Sequence, residues 1–402
     1  MLKFRVFGLF ALGYFISYLL RGLNIGFAPF LMRELHLSAI DLGTLTSFHF
    51  LGFAIAQIPG GLLLDRYGPR RVNAALLLLG ALGVLIFGLA PNFPVMLAGR
   101  FLIGVGVSAT LGGAFKALAQ HFPLQQLPLL NGMTMAVGGL GGVAVGSPLT
   151  WLLGLTDWRS ICVALAMAVA VAAIGLWFGV TDIEHPHRPG SIVEQLTGMR
   201  HILGSAVFWK IASFSGLTQG VFYGMQSLWA GAFMRDVSGF DAGNAAALVS
   251  ILGLAMMAGS VGFGALARRL DHHSVSLHSF CGAGMAVFLL DQILILLRVP
   301  LPATLLWTLY GAFGGIGFLS FADMARHFSL HLIGRANAAF NLVIFLLVFA
   351  AQIGVGAVLN LWPAAAGHYP AQAHLIAWSG LVLLQLLGSV WYFWPGKPIA
   401  TS

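Results

Sequence analysis

The chain has 402 residues, of which 59% are hydrophobic and only 8% charged, against about 25% charged in a soluble domain. Its 20 Lys and Arg and 12 Asp and Glu are too few to wet the surface of so long a chain, which excludes a soluble enzyme, a disordered chain and a disulfide scaffold. The net charge of +8 does not mark a nucleic-acid binder, because such surfaces come as basic patches and these charges lie scattered between apolar runs.

Apolar runs of about 20 residues are long enough to cross a bilayer as helices. Twelve are expected, at 6–32, 42–64, 72–90, 94–116, 128–152, 159–179, 208–234, 243–266, 277–297, 301–323, 334–360 and 373–394. Lys3 and Arg5 precede the first, which runs to about Leu31 without a small-residue cleavage site, so no cleavable signal is expected. Cys162 and Cys281 fall inside apolar runs and read as small buried hydrophobes. One long polar gap, 180–207, carries Asp182, Glu184, His185, His187, Arg188, Glu194 and Arg200. It divides the chain into an N-terminal six-helix bundle (1–180), a linker (181–207) and a C-terminal six-helix bundle (208–402).

Lys and Arg set the expected orientation. With the N-terminus in the cytoplasm, that side holds Lys3, Arg5, Arg66, Arg70, Arg71, Lys116, Arg188, Arg200, Lys210, Arg268, Arg269, Arg326, Arg335 and Lys397. The other side holds only Arg33, Arg159, Arg235 and Arg298. Twelve spans then leave both termini cytoplasmic, in a bacterial inner membrane. The halves also repeat. At an offset of 202, Phe27–Glu34 falls on Trp229–Asp236, Gly60 on Gly262 and Arg66 on Arg268; at 206, Ala119–Leu124 falls on Ala325–Leu330. Two repeats of the same orientation imply a pseudo-two-fold axis along the membrane normal and a substrate site between the halves near the midplane.

Between the second and third spans stands Gly60-Gly61-Leu62-Leu63-Leu64-Asp65-Arg66-Tyr67-Gly68-Pro69-Arg70-Arg71. This resembles the signature cytoplasmic loop of the major facilitator superfamily. Leu97–Gly106, with Arg100 followed by glycines, resembles the family's fourth-helix motif, and Trp158-Arg159 its pair before the sixth helix. The resemblance implies an all-α membrane protein with twelve transmembrane helices in two pseudo-symmetric bundles, working by alternating access. It also implies that Asp65, Arg66, Arg70 and Arg71 latch the halves on the cytoplasmic side. Two features depart from the pattern. Ala267 stands in the second half where Asp65 stands in the first, and Gly146-Ser147-Pro148 is not the Gly-Pro-x-x-Gly-Gly of drug–proton antiporters.

An ionisable side chain within a span faces the bundle interior and is a functional candidate by default. Arg21 is the foremost, with Tyr14, Tyr18 and Ile25 on its helical face. Tyr18-x-x-Arg21 resembles the organic-anion and sugar-phosphate branches of the superfamily, where a first-helix arginine binds the anionic group of the substrate. A permanently charged guanidinium fork suits carboxylate or phosphate; the alternative is a structural arginine neutralised by carbonyls or Asp291. The repeat sets Tyr223 opposite Arg21 and Gln226 opposite Asn24. Gln219, Tyr223, Gln226 and Trp229, and Asn337 and Asn341 of the eleventh span, complete the candidate cavity wall; interhelical bonding is the other reading of each. Arg100 is assigned to structure or coupling and grouped with the gate. His49 and Asp291 are the candidate coupling groups, each with a structural reading beside it.

No nucleotide-binding glycine loop, metal-ligand spacing or catalytic cluster is present, so neither a cofactor nor a metal is expected. The functional expectation is a monomeric transporter, facilitative or secondary active, of a small organic anion, with a proton as candidate partner. The alternative keeps the fold but makes it a drug, peptide or siderophore carrier with a structural Arg21. A membrane-embedded enzyme or receptor would need a catalytic cluster that the chain does not show.

Overall fold

The computed structural model describes residues 2–123, 126–181, 200–271, 275–328, 332–365 and 368–394. Of the residues singled out above, Asp182, Glu184, His185, His187, Arg188, Glu194 and Lys397 lie outside the described residues.

Among the described residues ten helices, and an eleventh if a bent pair counts as one span, are long and apolar enough to cross a membrane; an interrupted helical stretch at 206–236 answers the remaining expected run. In chain order these are α1 (Leu2–Leu35), α2 (Ala39–Tyr67), α3 (Pro69–Leu89), α4 (Phe93–His121), α5 (Leu127–Ala144 with Ser147–Leu155), α6 (Trp158–Gly179) and α7 (206–236). Then follow α8 (Ala242–Asp271), α9 (Leu277–Leu296), α10 (Ala303–Ala325), α11 (Ile333–Leu359) and α12 (Ala371–Phe393). Their ends carry local stop and start chemistry. Ser38 and Asp41 form a reciprocal capping box at the start of α2, and the carboxylate of Asp157 accepts the Ser160 N–H (2.9 Å) at the start of α6.

Two spans are irregular. α5 bends by 43° between its segments, at Gly146-Ser147-Pro148. Pro148 has no N–H to return to the preceding turn. Gly146 packs so tightly against α8 that a Cβ there would meet the Ala246 carbonyl at 2.6 Å. α7 is interrupted by π turns at Ala212–Gly216 and Met225–Trp229. Each inserts an extra residue and rotates everything beyond it, which breaks the 3.6 spacing assumed for this helix in the sequence.

Helices α1–α6 pack on one another, as do α7–α12, and the two bundles meet mainly where α1 packs on α7, α2 on α11 and α5 on α8, with α2 also touching α7. Glycines permit the closest approaches. Gly52 faces the Phe101 carbonyl and Gly104 the His49 carbonyl where α2 crosses α4. On the α2–α11 seam Gly43 faces the Gln352 carbonyl, and Gly356 the Ala39 carbonyl, which a Cβ there would meet at 2.6 Å.

Candidate substrate-binding site

A cavity of about 630 Å³ lies between the bundles. Its deep end is buried: Tyr14, Tyr18 and Arg21 of α1 are 5%, 6% and 7% exposed. Its mouth is lined by the exposed Gly61, Gly112 and Ala322, on the side of the Asp65–Arg71 loop. The cavity therefore opens toward the end of the molecule that is rich in Lys and Arg.

The opposite end is shut. The Trp229 indole donates to the Gln352 carbonyl (3.3 Å) within the second half and packs against Gly43 of α2, and the Ser47 hydroxyl donates across the halves to the Phe349 carbonyl (3.1 Å). Gln352 Nε2 donates to the Gly224 carbonyl and to Ser227 Oγ, both at 2.6 Å. Further out, the Ala39 N–H at the start of α2 donates to the Tyr369 hydroxyl (2.8 Å) from the segment before α12. That segment is held in turn by Asp236, whose carboxylate accepts from the Tyr369 N–H (3.1 Å) and lies 2.7 Å from His368 Nδ1 and 2.8 Å from His374 Nε2.

Arg21 stands at the floor of the open cavity inside an aromatic ring. Its guanidinium carbon is 4.5 Å from the centroid of Tyr18, 5.7 Å from Phe53, 5.2 Å from Tyr223 and 5.5 Å from Phe345. Two of these rings come from each half, so both bundles hold the charge in place. Among the described residues Arg21 makes no ion pair, and its Nε has no hydrogen-bond acceptor. Among the described residues no other charged side chain lines the cavity; the remaining wall is aromatic, aliphatic, small or neutral polar, with Gln57, Ser108, Asn337 and Asn341 among the polar groups.

Of the residues expected to bind substrate, Tyr14, Tyr18, Arg21, Tyr223, Asn337 and Asn341 thus share one cavity. Asn24, Gln219, Gln226 and Trp229 lie off its wall. Asn24 donates to Thr46 Oγ1 (2.7 Å) between α1 and α2, and Gln219 to the Gly314 carbonyl (3.0 Å) of α10. The Gln226 amide lies 3.9 Å from the sulfur of Met256 on α8, and Trp229 closes the far seam. The second π turn begins at Met225, just past Tyr223, and turns Gln226 and Trp229 away from the face that Tyr223 presents.

Asp65, Arg66 and Arg70 of the candidate gate make contacts within the first half. Asp65 pairs with Lys116 at 2.7 Å, and Lys116 also donates to the Leu64 carbonyl (2.8 Å). Arg70 donates to the Trp177 and Val180 carbonyls (3.0 and 3.4 Å), and Arg66 lies over the Tyr67 ring. Arg100 is fully buried; it donates to the Leu20 carbonyl (3.1 Å) and ties α4 to α1. His49 and Asp291 are buried without a side-chain hydrogen-bond partner, and neither lines the cavity.

Sequence reading did not single out Phe53, Phe345, Gln57 or Lys116. A phenylalanine in an apolar span gives no sign of which way it faces. The one available hint for Lys116 was a lone cation near the end of a span, on the same side as the Asp65 carboxylate.

The sequence profile of the family described as Major Facilitator Superfamily matches residues 10–352. A protein named "Probable sulfoacetate transporter SauU", from Cupriavidus necator, is 25% identical over 319 residues, covering 75% of this chain and 73% of that protein. The "Hexuronate transporter" of Bacillus subtilis is 31% identical over 166 residues, covering 40% of this chain and 38% of its own. A solved bacterial homologue of the human lysosomal transporter Spinster, inward-facing and unoccupied, is similar in fold, with a TM-score of 0.79 at 14% identity over 98% of this chain and 96% of that one.

Proposed function

The chain belongs to the Major Facilitator Superfamily, and we propose that this integral membrane transporter moves a small organic anion by alternating access, with Arg21 as the group that binds the charge. One observation carries the proposal: among the described residues the cavity between the halves is lined by a single charged side chain, a guanidinium without a carboxylate partner. A buried cation that lacks a protein counter-charge is costly, and an anionic substrate would supply that counter-charge. Tyr18, Tyr223, Asn337 and Asn341 shape the rest of the site with hydroxyl and amide groups. The volume of about 630 Å³ suits a small carboxylate or sulfonate with its water. Two relatives bear the names of sulfoacetate and hexuronate carriers, and both compounds are small organic acids.

In this proposal the Arg66–Arg71 end faces the cytoplasm of a bacterial cell, both termini lie there, and the cavity opens inward. The intact Asp65–Lys116 pair belongs to this open state, and the loop re-forms contacts with the other half when the cytoplasmic side closes. The protein acts as a monomer, with the linker at 181–207 joining two rocking bundles. His49 and Asp291 serve as candidates for proton coupling.

The test is uptake into proteoliposomes of a panel of sulfonates, hexuronates and aldarates, with neutral sugars as controls. Arg21→Gln should lower transport of the accepted anion at least a hundredfold, since a charged, hydrogen-bonded partner is lost. Arg21→Lys should restore part of it, through the charge without the fork. Full anion transport by Arg21→Gln, or transport of only neutral or cationic compounds by the wild type, refutes the proposal. The latter result would favour the drug, peptide or siderophore carrier.

A further inference from the structure

Four arginines lie at the closed end, away from the prevailing positive charge: Arg33, Arg159, Arg235 and Arg298. Two are satisfied. Arg159 pairs with Glu34 at 2.7 Å, and Arg298 donates to the Val237 carbonyl at 3.4 Å. Arg33 and Arg235 have neither an ion pair nor a hydrogen bond among the described residues. Both line one hollow of about 350 Å³ between the bundles, walled by α1, α5, α7 and α8.

One arginine comes from each half, at the positions that the 202-residue repeat makes equivalent. Among the described residues no acidic one lines the hollow, and Thr150 is the one other polar side chain on its wall. The neighbouring carboxylates are occupied elsewhere, Glu34 by Trp158 and Arg159, and Asp236 by His368, His374 and the Tyr369 N–H. Arg33 lies three helical turns beyond Arg21 on α1, about 18 Å along the axis. The closed seam of Trp229, Gln352 and Ser47 separates the two positive sites.

We propose that this hollow is an outer anion-binding vestibule, in which Arg33 and Arg235 together hold a carboxylate, sulfonate or phosphate oxyanion of a free solute. Two guanidiniums lining one hollow, neither with an ion-pair partner among the described residues, draw anions and repel cations, and their forks fit oxyanion geometry. When the seam opens, an anion held here faces the path to Arg21. That last step rests on the reading of Arg21 as the transport site; anion capture by the hollow does not.

Gly154 lines the hollow, and a Cβ there meets nothing within 4 Å, while Cys162 and Cys281 are both buried. The full chain carrying Gly154→Cys, in phosphatidylcholine nanodiscs, can be labelled with methanethiosulfonates that end in a sulfonate or in a trimethylammonium group. Each arginine should favour the anionic over the cationic reagent by about tenfold relative to a free thiol in solution. The preference should vanish in Arg33→Gln/Arg235→Gln, return in Arg33→Lys/Arg235→Lys, and coincide with slower labelling in millimolar sulfate. A free-thiol ratio in the parent overturns the proposal. So does loss of both the preference and the sulfate protection once phosphatidylglycerol is included, which would make a lipid headgroup the occupant. Arg21→Gln should leave the preference intact, so failure here and failure of the transport reading are separate results.

Discussion

Replacing Tyr369 with Phe removes one oxygen from the closed seam and leaves the ring. That oxygen is the acceptor for the N–H of Ala39, the first residue of α2. Such an N–H has no acceptor within its own helix, and Ala39 is completely buried. Stranding a buried donor costs about 1–3 kcal/mol. The cost falls only on the state in which the seam is shut, since water reaches the N–H when the halves part there. The equilibrium should therefore move about 5- to 150-fold toward the state open on the far side. Spin labels at His36→Cys and Leu361→Cys, two exposed positions at that end, report the change as growth of a longer-distance population in pulsed electron resonance. Asp236→Asn should act in the same direction, because the carboxylate anchors the segment that carries Tyr369. An unchanged distance distribution in folded Tyr369→Phe protein would refute the role of this hydrogen bond in keeping the seam closed.

Gly104→Ala should lower the thermal unfolding midpoint in detergent by the equivalent of about 1–3 kcal/mol, because the added methyl meets the His49 carbonyl and the Phe53 N–H. Gly262→Ala, with open space at its Cβ, should leave the midpoint unchanged or raise it. The helix cap at Asp157 should persist into acid. The Ser160 hydroxyl and N–H hold its carboxyl below the ordinary value of 3.8, so its contribution is complete above that value and is lost as the pH falls through the depressed one. A carboxyl titration followed by NMR that gave an Asp157 midpoint at or above 3.8 would contradict this.

Asp65 shows why one motif could be legible while its present contact was not. The glycine, carboxylate and arginine pattern identified the loop, but the pairing with Lys116 depends on how α4 lies against α2, some fifty residues along the chain. Helix 7 shows the opposite case. Its face was read from regular 3.6 spacing, which put Tyr223 on the cavity but not Gln219, bonded to the Gly314 carbonyl, and the π turn at Met225–Trp229 rotated Gln226 and Trp229 into other contacts. No residue type announces such a turn, because it is imposed by the neighbours on which the helix packs.

Membrane burial, the all-helical build and an Arg21 turned into the protein were determined by the order of residues alone. Each follows from a local cost that any fold must meet: apolar runs leave water, backbone groups in lipid must bond within a helix, and a charge in a span must turn from lipid. Which end of the molecule is shut, which rings surround Arg21, and which arginines go without partners were decided only by tertiary structure. Those are distances between residues far apart in sequence, set by how two bundles with nearly interchangeable apolar surfaces lean on each other.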